Sequence, residues 1–142
     1  MKELKPYRRK INYYETDQMQ VVHHSNYARY LEEARLDMME QAGLPYDKLE
    51  ELGIIIPVLE LHDYYTYALH FGDTIEIYAH IVRLTPVRFN LKYEIKNLKG
   101  ELLHTAETSH GFVDTNFRPM SLKRKYPEIY SNLQEYVEDE PL

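Results

Sequence analysis

The sequence predicts an α+β fold in which a curved antiparallel β-sheet wraps around one long central α-helix. Three observations carry this. A single long stretch with helical periodicity lies early in the chain. A run of segments with period two follows it without intervening helices. The two kinds of segment are grouped, not alternating, which separates an antiparallel layer architecture from βαβ units. One long helix must cover its apolar stripe, and the apolar face of the sheet is the surface available to it.

The elements follow in order. Residues 7–14 (YRRKINYY) read as a short strand. From Asn26 the pattern turns helical, with Tyr27, Leu31, Ala34, Met38 and Ala42 on one side and Arg29, Glu33 and Glu40 on the other. Ser25 or Asn26 can cap its start, and Gly43 followed by Leu44 and Pro45 ends it. A shorter helix spans Tyr46 to Leu52 and closes at Gly53. Residues 54–68 form a β-rich run, and Phe71-Gly72-Asp73 is a turn. Ile75, Ile77, Ala79 and Ile81 then alternate with more polar residues, and Thr85-Pro86 marks the next turn. Phe89, Leu91, Tyr93 and Ile95 alternate with Arg88, Asn90, Lys92 and Glu94, the pattern of a strand buried on one face. Residues 97–100 make a hairpin and 101–114 return as a strand. Pro127 opens a last helix running from Glu128 to Val137, and the acidic tail EDEPL is expected to fray. The sheet edge left over favours self-association.

A chain of 142 residues fits one domain, here 1–142 with its core over about 7–137 and the tail at 138–142. A net charge of -6 argues against a nucleic-acid binder, which needs a basic stripe. The basic clusters Arg8-Arg9-Lys10 and Lys123-Arg124-Lys125 suffice for one small anionic ligand. With no cysteine, thiolate nucleophiles, disulfides and Cys-based zinc sites are excluded. The N-terminus MKELKPYRRK has no apolar core of a signal peptide, and no apolar stretch is long enough to span a bilayer. The expectation is a cytoplasmic protein with no membrane partner.

The sequence has no G-x-S-x-G elbow, no Walker loop and no G-x-G-x-x-G. Its seven histidines form no helical H-x-x-x-H pair, and the adjacent His23 and His24 are expected to point different ways, so no metal is expected. Asp17 remains. It lies between a strand and the start of the long helix, where backbone N–H groups have no helical acceptor. Such donors can hold negative charge developing on a carbonyl oxygen. A free Asp titrates near about 3.9, so at neutral pH the carboxylate can attack a carbonyl or activate water. Two readings stand side by side: a catalytic carboxylate, and a plain cap of the turn or helix.

The stretch Tyr14-Glu15-Thr16-Asp17-Gln18-Met19-Gln20-Val21-Val22-His23-His24-Ser25-Asn26-Tyr27 resembles the signature of hotdog-fold acyl-CoA thioesterases of the 4-hydroxybenzoyl-CoA thioesterase-like group. Leu31-Glu32-Glu33-Ala34-Arg35 and Phe71-Gly72-Asp73 are similar to that family as well. The resemblance implies hydrolysis of an acyl-CoA thioester without a cofactor, in a homodimer or homotetramer with active sites at the subunit interface. It implies Asp17 as nucleophile or general base, the His24 N–H as the group polarising the carbonyl, and Tyr14 lining the site. Gln20, Val22 and His23 belong to the same oxyanion loop. Arg88, Arg118, Lys123, Arg124 and Lys125 are the cations available to CoA phosphates. Acyl-acyl carrier protein is an alternative substrate, and a non-catalytic acyl-binding protein an alternative class. Two positions depart from the family pattern. Glu15 replaces Asp, and Gln20 stands where the family places Gly, a position that suggests positive φ.

Overall fold

The computed structural model describes residues 2–138. The expected order of a strand, a long helix, a short helix and a run of strands is present, with five strands in one antiparallel sheet of order β1-β3-β4-β5-β2. These are β1 (Tyr7–Lys10), β2 (Val58–Tyr65), β3 (Thr74–Leu84), β4 (Arg88–Asn97) and β5 (Leu102–Gly111). The helices are α1 (Ser25–Gln41), α2 (Tyr46–Leu52), α3 (Leu122–Lys125) and α4 (Pro127–Gln134).

The alternation of β4 does what its period requires. Phe89, Leu91, Tyr93 and Ile95 are buried, and so are Ile75, Ile77 and Ile81 of β3, all facing one side of the sheet. Onto that side α1 lays Tyr27, Tyr30, Leu31, Ala34 and Met38, and these residues share one contiguous core with the sheet. Each large side chain buried this fully contributes about 1.5–3 kcal/mol relative to exposure. Gly53 ends α2 at φ 71, a left-handed position open to glycine, so that the chain can turn back along the sheet.

Several boundaries differ from the expectation. The first strand stops at Lys10, because Asn12 starts a 3-10 turn over Tyr13–Glu15 in place of a longer strand. The run 54–68 contracts to Val58–Tyr65, with Ile55 joined to Val113 only by an isolated bridge. The 101–114 strand contracts to Leu102–Gly111. The last helix is shorter, Pro127–Gln134, and α3 precedes it, capped by the Ser121 hydroxyl, which accepts from the Arg124 N–H. Neither Ser25 nor Asn26 caps α1; its N-cap is His24, without a side-chain bond. Of the tail expected to fray, 139–142 lie outside the described residues, whereas Glu138 is anchored, its N–H donating to Ile81 O at 2.8 Å.

That anchor distinguishes the two edges of the sheet. On one edge β1 covers the first half of β3, and Val137 and Glu138 cover its second half. His80 sits between the carboxylates of Glu138 (2.5 Å) and Glu94 (3.0 Å) and fastens that cover. The other edge, β2, has no strand outside it among the described residues, and its Val58, Leu59, Leu61, Tyr64 and Tyr65 are exposed. Among the described residues no helix is long and apolar enough to cross a membrane.

Candidate active site

The segment between β1 and α1 is a loop with a tight neck and an open tip. At the neck, Glu15 is buried, and its carboxylate accepts from Arg9 at 2.7 Å and from the Asn12 N–H at 2.8 Å. Arg9 also pairs with Glu33 of α1 at 2.8 Å and lies over the Tyr30 ring at 4.3 Å. Burial opposes the Glu15 charge, but the Arg9 and Asn12 donors outweigh it and hold the carboxyl below its ordinary range. The Glu15 carbonyl accepts twice, from the His23 N–H at 3.0 Å and from the side chain of the buried Asn26 at 2.8 Å. Both walls of the loop are thereby tied to the first turn of α1.

At the tip, the bridge between Thr16 and Val22 leads into a turn closed by Asp17 N–H to Val21 O (2.9 Å) and Gln20 N–H to Asp17 O (3.0 Å). Asp17 is exposed, and one carboxylate oxygen accepts from the Met19 N–H at 2.8 Å, leaving the other without a partner among the described residues. Gln20 has φ 65, the left-handed backbone that the family glycine suggested. The segment after β2 grips the tip, through Val22 N–H to Leu69 O (2.8 Å) and Phe71 N–H to Gln20 O (3.3 Å).

The amides near the helix opening are not equivalent. Those of Val22 and His23 are engaged with Leu69 O and Glu15 O, and that of Ser25 meets His23 Nδ1 at 3.2 Å. The His24 N–H has no acceptor among the described residues. Its own carbonyl is approached by the Tyr65 hydroxyl at 3.4 Å. The rings of His23 and His24 do not diverge as expected; they stack with centroids 4.2 Å apart, because the segment is irregular and imposes no strand or helix alternation. Among the described residues no group of three His, Asp or Glu side chains could hold a metal ion.

Tyr14 stands exposed beside the loop, its hydroxyl accepting from Asn12 Nδ2 at 3.2 Å. The cations expected to meet CoA phosphates lie elsewhere in the chain. Arg88 pairs with Gly111 at one end of the sheet, and Arg118, Lys123, Arg124 and Lys125 follow that end in the chain. The Asp17 loop adjoins the opposite end, where Lys10 pairs with Thr74 and where 69–71 follow β2. Arg9 is not available to a ligand, since it is nearly buried and binds both Glu15 and Glu33, whereas Arg8 is exposed and pairs with Glu76 alone. Sequence reasoning missed Arg9, Glu15 and Asn26 as the frame of the loop. The signal was an Asn-x-x-Glu capping box at Asn12 and Glu15, with an arginine at the next-to-last position of the strand before it.

A DHNA-CoA thioesterase from Staphylococcus aureus has the same fold: TM-score 0.85 at 34% identity, over 92% of this chain and 91% of that one. The curled sheet, its inner helix and the loop at the helix opening define the class, a hotdog-fold thioester hydrolase. A family model described as the thioesterase-like superfamily matches residues 11–135, and the chain belongs to that family. Among curated relatives, the Bacillus subtilis protein named "Putative acyl-CoA thioesterase YneP" is 32% identical over 85% of this chain and 88% of its own length. A 1,4-dihydroxy-2-naphthoyl-CoA hydrolase of Thermosynechococcus vestitus is 30% identical over 75% of this chain and 74% of its own.

Proposed function

We propose that the protein hydrolyses an acyl-CoA thioester to the free acid and CoA, with Asp17 as nucleophile or general base and the His24 N–H as oxyanion donor. The observation that carries this is the pairing, on one loop, of an exposed carboxylate with a helix-opening amide that has no acceptor among the described residues. A thioester suits so small a kit, because its carbonyl is more electrophilic than that of an ester and the thiolate departs readily. In the hydrolysis, water supplies the oxygen that forms the new C–O bond, the C–S bond breaks, and the proton released by water balances the departing thiolate. The His24 amide opposes the charge that gathers on the carbonyl oxygen at the helix opening.

The active unit in this reading is a homodimer joined through β2. Adding a second β2 antiparallel to the first extends the sheet by a two-fold axis normal to it. Such an axis reverses the strand direction, so the Asp17 end of one protomer comes beside the Val58 end of the other. The cations Arg88, Arg118, Lys123 and Arg124 belong to that Val58 end, since Val58 pairs with His110 next to Gly111 and Arg88. Remote from Asp17 within one protomer, they approach the Asp17 of the second copy, where CoA phosphates need them.

Thiol release from short-, medium- and long-chain acyl-CoAs tests the reaction, against no thiol of the protein's own. Turnover by the parent and a fall of roughly 10²–10⁴-fold in Asp17→Asn are expected. Saturable binding of acyl-CoA without thiol release would assign the protein to ligand binding instead.

A further inference from the structure

A cavity of about 420 Å³ lies between α1, α2 and the segment leading into β2. That is within the range of small-molecule sites. Its walls are mainly apolar, with Leu36, Met39, Leu49, Ile54, Ile56 and Phe89. One cation, Arg35, is set into them. Its guanidinium donates to the Tyr93 hydroxyl at 3.1 Å, and among the described residues it forms no ion pair with a carboxylate. Four of the five guanidinium N–H groups thus lack a protein acceptor.

The bond that is made fixes where the others point. Tyr93 is buried and its hydroxyl meets Thr108 Oγ1 at 2.8 Å, which in turn meets His110 Nε2 at 2.8 Å. Burial and the Arg35 charge lower His110 to about 4, so at neutral pH this chain of groups carries no charge of its own. An arginine held on a neutral buried chain, beside apolar walls, is a donor array waiting for an oxygen. Two carboxylates share the cavity, Glu32 and Glu50, both exposed. They oppose an anionic ligand and leave a neutral one unaffected.

We infer that this cavity takes the acyl portion of the thioester, and that Arg35 selects chains bearing a neutral oxygen, hydroxyl or keto, at their far end. The inference rests on the thioesterase reading above. It places the acyl chain in the cavity of one protomer and the thioester at the Asp17 loop of the other. Residues 54–56 line the cavity and run into β2, so the cavity lies at the Val58 end of that edge. No residue of 13–24 lines it, which a site contained in one protomer would require. A site built to bond a substrate oxygen discriminates strongly against the analogue lacking it, because its own donors are then left unpaired.

The test compares octanoyl-CoA with 8-hydroxyoctanoyl-CoA. The parent is expected to favour the hydroxylated chain by roughly tenfold or more in kcat/KM. Arg35→Met is expected to reverse the preference, and Arg35→Lys, which restores a donor, to recover part of it. The same two ligands titrated calorimetrically into Asp17→Asn report selection without turnover. Selective binding with no thiol release from the parent would sink the hydrolytic reading and leave the selection standing. Turnover with equal or reversed preference in the parent, or an identical ratio in Arg35→Met, overturns the role of Arg35. Co-expression of Asp17→Asn with Arg35→Met chains is expected to restore hydroxyl-selective turnover, since one site of each mixed dimer then has both residues intact. Absence of that restoration overturns the shared site.

Discussion

Glu15 and Asp17 are two residues apart and live in opposite surroundings. Glu15, at the neck of the loop, is buried and bonded to Arg9 and the Asn12 amide, while its carbonyl holds His23 and Asn26. Asp17, at the tip, is exposed and uses one oxygen on the local Met19 amide. The first carboxylate gives the loop its shape, and the second keeps one oxygen unengaged among the described residues, as the proposed chemistry requires. A rigid neck serves the proposed chemistry at the open tip: the amides of Val22 and His23 are fastened, so the neighbouring His24 N–H, without an acceptor among the described residues, keeps its direction. The contrast predicts that damage to the two ends separates into lost turnover and lost stability.

The largest effect belongs to the tip. Asp17→Asn keeps the shape of the side chain and its bond to Met19, so the fall of roughly 10²–10⁴-fold in turnover should come with an unchanged thermal midpoint. A drop in midpoint matching the lost activity would show that Asp17 is a structural cap. The neck should behave in reverse. Arg9→Met leaves Glu15 buried without its cation, and breaking a buried pair in this way costs about 3–5 kcal/mol. The two side chains are 12% and 7% exposed, so solvent screens the pair little. Denaturant midpoints read the loss directly. Equal stability of parent and variant would remove Arg9 from the frame.

Acid should sharpen the same contrast. Glu15 is held below its ordinary value of 4.5 in the fold, so the stability it adds is full above that pH and lost as pH falls through the folded value. His110 acts earlier. Its folded value of about 4 lies below the ordinary 6.5, so between those limits the unfolded chain binds a proton that the folded chain refuses. Stability should therefore fall by about 3 kcal/mol from pH 6.5 to pH 4 before Glu15 adds its share. In Arg9→Met the share of Glu15 is absent, and below pH 4.5 the gap between parent and variant should narrow. A gap that stays constant with pH would mean that the Arg9–Glu15 charge pair is not what the substitution removed.

Much of this was legible in the sequence, for identifiable reasons. The alternation at Phe89, Leu91, Tyr93 and Ile95 and the helical spacing from Tyr27 to Met38 are set by burial on one face, which leaves a direct trace in residue order. The positive φ at Gln20 was legible only through the family glycine it replaces. Phe117, at φ 60, had no such marker. The neck was harder still. Arg9 read as part of a basic cluster because its partners, Glu15 and Glu33, come from a turn and a helix that only the fold brings together. The stacking of His23 on His24 escapes the sequence for a related reason: the alternation of side-chain direction holds within a regular strand or helix, and these two residues precede α1 outside any such element.

The smallest effect expected is at Gln20, and it separates backbone from side chain at the tip. A non-glycine residue at φ 65 carries strain on the order of 1 kcal/mol. Gln20→Gly removes that strain but gives the unfolded chain more freedom, an opposing effect of about 0.4–1 kcal/mol. The net gain should be a few tenths of a kcal/mol, on the order of 1 °C in thermal midpoint. The bonds that shape the turn, Gln20 N–H to Asp17 O and Phe71 N–H to Gln20 O, are backbone bonds that glycine keeps. Turnover should accordingly hold or rise. Should it drop sharply while the midpoint stays level, the Gln20 amide itself touches the substrate, and the tip holds a second working side chain beside Asp17.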